Sequence, residues 1–310
     1  MQRNLQQNNL KNNTVVLFGE VLADIFPDES VLGGAPFNVA RHLSAFDLNS
    51  VMMSRTGNDA LRDDFMREMQ RLNMDVSGIQ IDHSYPTGQV QVELANGKHQ
   101  FNILPNQAYD HIHAGITHMM TLSIKPDLVY FGTLAQRAMT SRLALDKLLS
   151  DSNCPRFFDI NLRHPWYNKH TVRRSLLRSD IVKMNEEELE IVASYFKINA
   201  DHPQSKAKLL LEQFALKMLL ITCGENGAWL VNADHEVYES VPQKTTLPIV
   251  DTVGAGDAFS AVVMLGLLNR WDLSLVLKRA NQFASAICGI RGGAPKDKDF
   301  YLPFKQEWSL

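Results

Sequence analysis

Buried-strand patterns and helical patterns alternate through the middle of the 310-residue chain, and this alternation constrains the fold more than any other feature. Each short apolar run is followed by apolar residues at helical spacing. We predict three such strand and helix pairs, at 128–131 with 141–149, at 156–159 with 172–177, and at 181–184 with 186–195. Parallel strands need a crossover connection, and a helix supplies it. The pattern therefore predicts an α/β fold with a parallel sheet flanked by helices.

Similar patterns extend the prediction on both sides of this series. We predict strands at 15–18, 50–56, 218–222 and 229–231, and helices ending near residue 46, at 59–72 and at 275–287. The pattern then changes between residues 87 and 104. Gln89 to Leu94 alternates polar and apolar residues, Asn96-Gly97 is a two-residue turn signal, and His99 to Leu104 follows as a partner strand. This predicts an antiparallel hairpin, either an ordinary edge ribbon or part of a separate small sheet.

Composition narrows the class of protein. The net charge is −3 and Lys and Arg form no stripe, which argues against a nucleic-acid partner. No run of about eighteen apolar residues occurs and no secretory signal is present, so we expect no membrane span and a cytoplasmic enzyme. The three cysteines are far apart and predict neither a disulfide framework nor a zinc site. The first 13 residues, rich in Asn and Gln, are predicted to form a flexible extension.

The stretch Asp251-Thr-Val-Gly-Ala-Gly-Asp257 carries the strongest chemical signal. It lies between a predicted strand at 247–250 and an apolar helical pattern from Ala258. Its two glycines allow a tight turn and the close approach of a ligand, and the first amides of the new helix have no intrahelical partners. With the helix dipole, this turn predicts an anion site that suits a phosphate. Asp257 is placed to accept a proton from a hydroxyl that attacks phosphorus.

Other interpretations fit parts of this stretch. An aspartate in a first helical turn often only complements the dipole, and Gly-x-Gly after a strand is a weak motif by itself. A dinucleotide site fits poorly, because Phe259 replaces the third glycine and too little chain follows for a nucleotide-binding half. A P-loop enzyme is excluded, because the chain has no Gly-x-x-x-x-Gly-Lys-Ser/Thr motif.

The whole stretch from Asp251 to Phe259 closely resembles the second signature of the ribokinase-like (PfkB) family of carbohydrate kinases. Gly33-Gly-Ala-Pro-Phe-Asn38-Val-Ala resembles the first signature, most of all that of the bacterial fructokinase branch. The resemblance implies a three-layer α/β sandwich with a mainly parallel central sheet, formed by a kinase domain over 14–310. It also implies a small β-stranded lid, with strands from about 24–33 and 87–104, that sometimes forms a dimer surface.

The resemblance also implies roles for individual residues. The anion hole is formed by Gly254, Ala255 and Gly256, and Asp257 is the catalytic base. The sugar contacts are Asp24, Gly33, Gly34, Asn38 and Arg163, the last from the stretch Asp159-Ile-Asn-Leu-Arg163. The nucleotide contacts are Asn185, Thr222, Gly224, Gly227, Gly256 and Asn281.

Two metal sites are expected on the same basis. Glu188 of Asn185-Glu-Glu-Glu188 is expected to approach Mg²⁺, through water, because a carboxylate suits a hard cation. Without the resemblance, three acids in a row are typical of a solvated helix start. Backbone carbonyls of the loop that includes Asp251 and Val253 hold a monovalent cation in relatives, so K⁺ is a further expectation.

The resemblance implies an ATP-dependent, magnesium-using sugar kinase. Fructose is the leading acceptor, since both the first signature and the Asp159 to Arg163 stretch look like fructokinases. Related signatures occur in kinases of 2-keto-3-deoxygluconate, ribose, phosphorylated sugars and nucleosides. Two hypotheses from other classes stay open, a catalytically idle sugar-sensing protein on the same fold and a dinucleotide-binding oxidoreductase.

Overall fold

The computed structural model describes residues 13–95, 98–240 and 249–310 of the chain. Their strands are β1 Thr14–Phe18, β2 Leu22–Ile25, β3 Ser30–Gly33, β4 Asn49–Gly57, β5 Ile79–Asp82, β6 Gly88–Ala95, β7 Lys98–Ile103, β8 Leu128–Phe131, β9 Arg156–Asp159, β10 Ile181–Asn185, β11 Met218–Thr222, β12 Ala228–Asn232 and β13 Val237–Ser240. Their helices are α1 Ala35–Ala45, α2 Ala60–Arg71, α3 Ala114–Ile124, α4 Met139–Asp151, α5 Lys169–Leu176, α6 Glu186–Phe196, α7 Pro203–Phe214, α8 Ala255–Leu268, α9 Leu273–Ile287 and α10 Leu302–Trp308.

Nine strands form the central sheet in the order β13-β12-β11-β10-β9-β8-β1-β4-β5. Pairing is parallel from β11 to β5, whereas β12 and β13 add to one edge in antiparallel fashion. Alternate side chains of β1 enter opposite hydrophobic cores: Val15 and Leu17 pack with residues of α1, α8 and α9, while Val16 and Phe18 pack with residues of α4 to α7. The two cores lie on the two faces of the sheet, which gives three layers.

Strand β1 lies where the order of the central sheet reverses. The chain passes from β1 to its neighbour β4, and only later to β8 on the other side. In open α/β sheets, ligands bind beyond the carboxyl ends of the strands at such a reversal. The chain leaves β1 through Gly19 and Glu20 and then forms β2, the first strand of a second sheet with the order β3-β2-β6-β7. The small sheet therefore begins at the edge where a ligand is expected.

The structure contains the predicted strand and helix pairs of the α/β series, and β6 pairs with β7 in the predicted antiparallel hairpin. The predicted strand at 247–250 is wrong for its described half. Ile249 and Val250 belong to no strand and are 64% and 58% exposed. The Val250 amide donates instead to the Cys288 carbonyl (2.8 Å), so this segment lies against the end of α9.

Three of the sequence-based expectations fall outside the described residues: the N-terminal extension as far as residue 12, the Asn96-Gly97 turn, and the first half of the 247–250 segment. In the part of the chain that the structure describes, no helix is long and apolar enough to cross a membrane.

Candidate active site

The candidate anion hole forms at the start of α8. Gly254 precedes the helix with φ +79°, and a Cβ there would lie 2.4 Å from the Gly293 Cα, so both the backbone angle and the space require glycine. The first intrahelical bond runs from the Ala258 amide to the Gly254 carbonyl (2.8 Å). The Ala255 amide donates to the Thr252 carbonyl (3.3 Å). Gly256 and Asp257 therefore carry the amides that are best placed to bind an anion.

Asp257 is 9% exposed in the first turn of α8. The Asn38 side-chain amide donates a hydrogen bond to its Oδ2 (2.9 Å), which ties α1 to α8 across 219 residues of sequence. Burial raises the pKa of the Asp257 carboxyl to about 6, against the lowering effect of the Asn38 hydrogen bond. A carboxylate with a pKa close to neutrality suits a general base better than an ordinary surface aspartate does.

The glycines that precede α1 have different reasons for being there. Gly34 adopts φ +104°, and a Cβ at this position would lie 2.6 Å from the Glu20 carbonyl oxygen. Gly33 ends β3, and a Cβ on it would lie 3.8 Å from Oδ2 of Asp24, which is ordinary contact. Gly34 therefore allows α1 to begin directly against the end of β1, and Gly33 faces the predicted sugar contact Asp24.

Asp24 and Arg163 belong to the same electrostatic neighbourhood as Asp257. Burial raises the pKa of Asp24 to about 6, the charge of Asp251 raises it further, and Arg163 opposes both. Arg163 also lowers the pKa of Asp257. The Arg163 side chain is exposed, donates to the Leu162 carbonyl (3.3 Å), and forms no ion pair with the described residues. The Arg163 guanidinium therefore acts electrostatically on both Asp24 and Asp257, and its contact with the sugar stays a prediction.

Glu20 is a buried site residue that sequence reasoning missed. It is 5% exposed, and its Oε2 has no hydrogen-bond partner within the described part of the chain. Burial raises its pKa to about 7, while Arg163 and Arg137 lower it and Asp257 raises it. The signal was an acid directly after the buried strand β1, at the carboxyl edge of the sheet.

A buried ion pair lies behind Asp257 and was also missed. Lys183, on β10, places its Nζ 3.1 and 3.2 Å from the two carboxylate oxygens of Asp159, at the end of β9. Asp159 also accepts hydrogen bonds from the hydroxyls of Ser260 (2.9 Å) and Tyr130 (3.3 Å). The signal for this cluster was a lysine inside an otherwise apolar central strand.

Four of the six predicted nucleotide contacts lie near the carboxyl end of β11: Thr222, Gly224, Gly227 and Asn281. Thr222 pairs with Ala228 and Ala228 with Ser240, whose hydroxyl accepts a hydrogen bond from the Asn281 side-chain amide (2.5 Å). Between Thr222 and Ala228, Gly224 and Gly227 adopt φ +56° and +90° in a tight turn. The backbone register therefore brings the turn and Asn281, which belongs to α9, to one edge of the sheet.

Glu188 and Asn185 form a reciprocal cap at the start of α6. Asn185 accepts from the Glu188 amide (2.8 Å), and Glu188 accepts from the Asn185 amide (2.9 Å) through Oε2 and from the Leu162 amide (2.7 Å) through Oε1. Each oxygen of the Glu188 carboxylate thus accepts a hydrogen bond from a backbone amide. The residues described here contain no group of three or more His, Cys, Asp or Glu side chains that could hold a metal. The magnesium contact of Glu188, expected to run through water, stays a prediction.

Asp251 joins the loop before α8 to the loop after α9. Its Oδ1 accepts from the Val253 amide (3.0 Å) and its Oδ2 from the Gly292 amide (3.2 Å). Since its carboxylate serves these amides, a cation between the loops would rely on backbone carbonyls. The monovalent-cation role of Asp251 and Val253 stays a prediction.

The comparison with known families decides the class of protein. The family model for pfkB family carbohydrate kinases matches residues 8–298. The chain belongs to this family. A sugar kinase of Pyrococcus horikoshii is 28% identical over 296 residues, covering 92% of this chain and 90% of that protein. A fructokinase of Rhizobium leguminosarum bv. trifolii is 28% identical over 283 residues, covering 82% of this chain and 79% of that protein.

Solved structures of related proteins agree with the fold of this pfkB family kinase. The Pyrococcus horikoshii sugar kinase, crystallised with ATP, superposes with a TM-score of 0.76 at 26% identity, covering 94% of this chain and 98% of the other. A fructokinase of Xylella fastidiosa with bound ATP reaches a TM-score of 0.82 at 20% identity, covering 97% and 100%. The predicted ribokinase-like α/β fold, with a large mostly parallel sheet and a small separate one, is confirmed.

Proposed function

We propose that this carbohydrate kinase is an ATP-dependent fructokinase, with Asp257 as the general base. The observation that carries the proposal is the buried Asp257, held by Asn38 at the start of α8 and next to the amides of a candidate anion hole. A fructokinase among the relatives and the electrostatic coupling of Asp24, Arg163 and Asp257 support a sugar hydroxyl as the acceptor.

The proposed chemical step is a direct displacement at phosphorus. The fructose oxygen forms a bond to the γ-phosphorus of ATP while the bond from that phosphorus to the β,γ-bridging oxygen breaks, and ADP leaves with the bond electrons. The hydroxyl proton passes to the Asp257 carboxylate and then to solvent as the base is regenerated. The pKa of about 6 leaves Asp257 mostly ionised at neutral pH, so the base is ready before the sugar arrives.

Positioning and electrostatics supply the rest of the catalysis. In the proposal, the amides of Gly256 and Asp257 and the positive end of the α8 dipole stabilise the charge on the transferring phosphoryl group. The turn between Gly224 and Gly227 and the side chain of Asn281 bind the nucleotide. Glu188 is the residue that would approach Mg²⁺, through water, and the metal would supply charge neutralisation when bound.

The small sheet is proposed to act as a lid. It begins immediately after Glu20 and carries Asp24 on β2, so any movement of this sheet also moves a predicted sugar contact. Closing the lid would exclude water, which otherwise competes with the sugar hydroxyl as the phosphoryl acceptor. A dimer formed through this sheet remains part of the proposal and is tested by the mass of the protein in solution.

A coupled ADP-release assay tests the proposal. Turnover with Mg-ATP is compared across fructose, 2-keto-3-deoxygluconate, ribose, adenosine and fructose phosphates, with Asp257→Asn as the control enzyme. We expect the highest kcat/KM for fructose and its loss in the variant.

The outcomes separate the chemistry from the specificity. Turnover that depends on another acceptor would support the kinase assignment and would replace only fructose as the substrate. Sugar binding in calorimetry without acceptor-dependent turnover would favour an idle sugar-sensing protein, and near-normal turnover of Asp257→Asn would remove Asp257 from the role of base.

A further inference from the structure

Lys183 is a charged residue in the middle of the central sheet. It belongs to β10, which has parallel partners on both sides, and its side chain is 8% exposed. Burial disfavours the ammonium form, but the attraction of Asp159, followed by Glu188 and Asp257, outweighs it and raises the lysine pKa. Lys183 therefore stays charged inside the protein.

The ion pair between Lys183 and Asp159 is not explained by a gain in folding stability alone. Its ammonium contacts both oxygens of Asp159 at 3.1 and 3.2 Å, and the Ser260 hydroxyl of α8 donates to Oδ2 of the same carboxylate (2.9 Å). Replacing a buried ion pair with apolar side chains of similar volume is often neutral or stabilising, so such a pair is weak evidence of a stabilising role.

The ammonium lies against the first turn of α8. A Cβ built on Gly256 would lie 3.0 Å from the Lys183 Nζ, which is tighter than nearly all real contacts of this kind. Gly256 has an ordinary helical backbone, and its φ is not positive. A side chain at the second glycine of the turn would therefore press on the Lys183 ammonium, which its ion pair with Asp159 holds in place.

The same ammonium acts on the charge of Asp257. Lys183 lowers the pKa of the Asp257 carboxyl and Asp159 raises it. The other groups coupled to Asp257 are Arg163, from the loop after β9, which lowers its pKa, the Glu20 carboxyl at the end of β1, and the Tyr130 hydroxyl of β8, whose own pKa is raised by burial and by nearby carboxylates. The Asn38 amide of α1 completes the surroundings with a hydrogen bond. Lys183 and Asp159 therefore form a pair of opposite charges directly behind the base.

We propose that Lys183 is a positioning residue for phosphoryl transfer: its ammonium, held by Asp159, which in turn accepts from the Ser260 hydroxyl, supports the first turn of α8 beside the Asp257 carboxylate. The inference rests on the proposed role of Asp257 as the general base. Lys183 acts through α8 and Asp257 and does not contact the sugar. Its loss should therefore lower kcat and change the pH dependence, with little effect on substrate binding.

Three variants test the two charges separately: Lys183→Met, Asp159→Asn, and the double variant. In Lys183→Met the unopposed Asp159 raises the Asp257 pKa. The fall of kcat/KM at low pH, which is the acid limb of its pH profile, therefore moves to higher pH. In Asp159→Asn the unopposed Lys183 moves the limb to lower pH, and the double variant returns towards wild type. We expect kcat of Lys183→Met to fall about tenfold at pH 8, with KM for sugar and ATP within about threefold of wild type.

Tyr130→Phe is the matched control. It removes the 3.3 Å hydrogen bond to Asp159 but changes no charge, so the acid limb should stay in place. Circular dichroism and thermal unfolding check that each variant is folded. If Lys183→Met does not fold, Asp159→Asn decides the question, because only an electrostatic role moves its acid limb to lower pH.

Two different results would overturn the inference, and only the second would also overturn the proposed function. Acid limbs that coincide in wild type and all three charge variants would leave Lys183 with a structural role only, while the kinase proposal would stand. A wild-type enzyme without turnover on any acceptor would remove the proposed function and this inference with it.

Discussion

Gly254→Ala tests whether the anion hole depends on close contact between two backbones. In the structure Gly254 has φ +79°, and a Cβ there would lie 2.4 Å from the Cα and 2.8 Å from the carbonyl oxygen of Gly293. The left-handed backbone costs an alanine about 1 to 2 kcal/mol, and overpacking adds about 1 to 3 kcal/mol. We expect the free energy of unfolding to fall by about 2 to 5 kcal/mol.

The catalytic effect follows from the direction in which the strain is relieved. The added Cβ is bonded directly to the main chain and would collide with main-chain atoms of Gly293, so either the loop at Gly293 or the start of α8 must move by about 1 Å to reach normal contact. A displacement of this size can cost on the order of a hundredfold in rate. We therefore expect kcat to fall about a hundredfold, measured by ADP release, with stability measured by urea unfolding.

Gly224→Ala is the matched control for the stability measurement. Gly224 also has positive φ (+56°), but no described atom lies within 4 Å of its Cβ position. Its unfolding free energy should fall by only about 1 to 2 kcal/mol, the backbone cost without the collision. Equal stability losses in the two variants, together with a near-normal kcat for Gly254→Ala, would refute the reasoning.

The other predictions concern Asp257 and His42. Asp257→Asn should lose about two to four orders of magnitude in turnover while calorimetry shows unchanged binding of sugar and ATP. Because the Asp257 pKa is about 6 and a base must be ionised, kcat/KM should fall about tenfold per pH unit below pH 6 and level off above it. A level profile down to about pH 4 would contradict this assignment. His42 is buried between the Tyr301 hydroxyl and the Gly293 carbonyl, and burial lowers its pKa to about 3. Its contribution to stability is therefore complete above the unfolded pKa of about 6.5 and is lost as pH falls towards 3, by on the order of 2 to 3 kcal/mol at pH 4.5. Urea unfolding across this range should show a weaker pH dependence in His42→Gln than in wild type.

Helix α3 is an element that the sequence patterns missed because its periodicity is ambiguous. Helix α3 buries Thr117 and Thr121 while Met119 and Leu122 are 71% and 53% exposed, so its apolar residues do not mark the inward face. At 247–250 an apolar run predicted a strand that the described residues do not form. Its Ile249 and Val250 look like a buried strand, but they are exposed and the Val250 amide bonds to the end of α9.

The candidate site divides in a similar way. Asp257, Asn38 and the glycines could be named because short motifs carry them, and the structure explains Gly34 and Gly254 by positive φ and close backbone contact. Glu20 and Lys183 could not, since a single charged residue near or within an apolar strand has many explanations. Asp159 lies 24 residues from Lys183 and 101 from Ser260, so no local pattern links them.

The sequence by itself determined the family, the α/β alternation and the position of the proposed base, because these depend on periodicity and on contiguous motifs. Only the tertiary structure decided which charges surround that base. The opposing effects of Lys183 and Asp159 on Asp257 arise from side chains on β10, β9 and α8 that meet only when the sheet and helix pack. Electrostatic interactions depend on distance and burial rather than on order along the chain, and packing alone sets both.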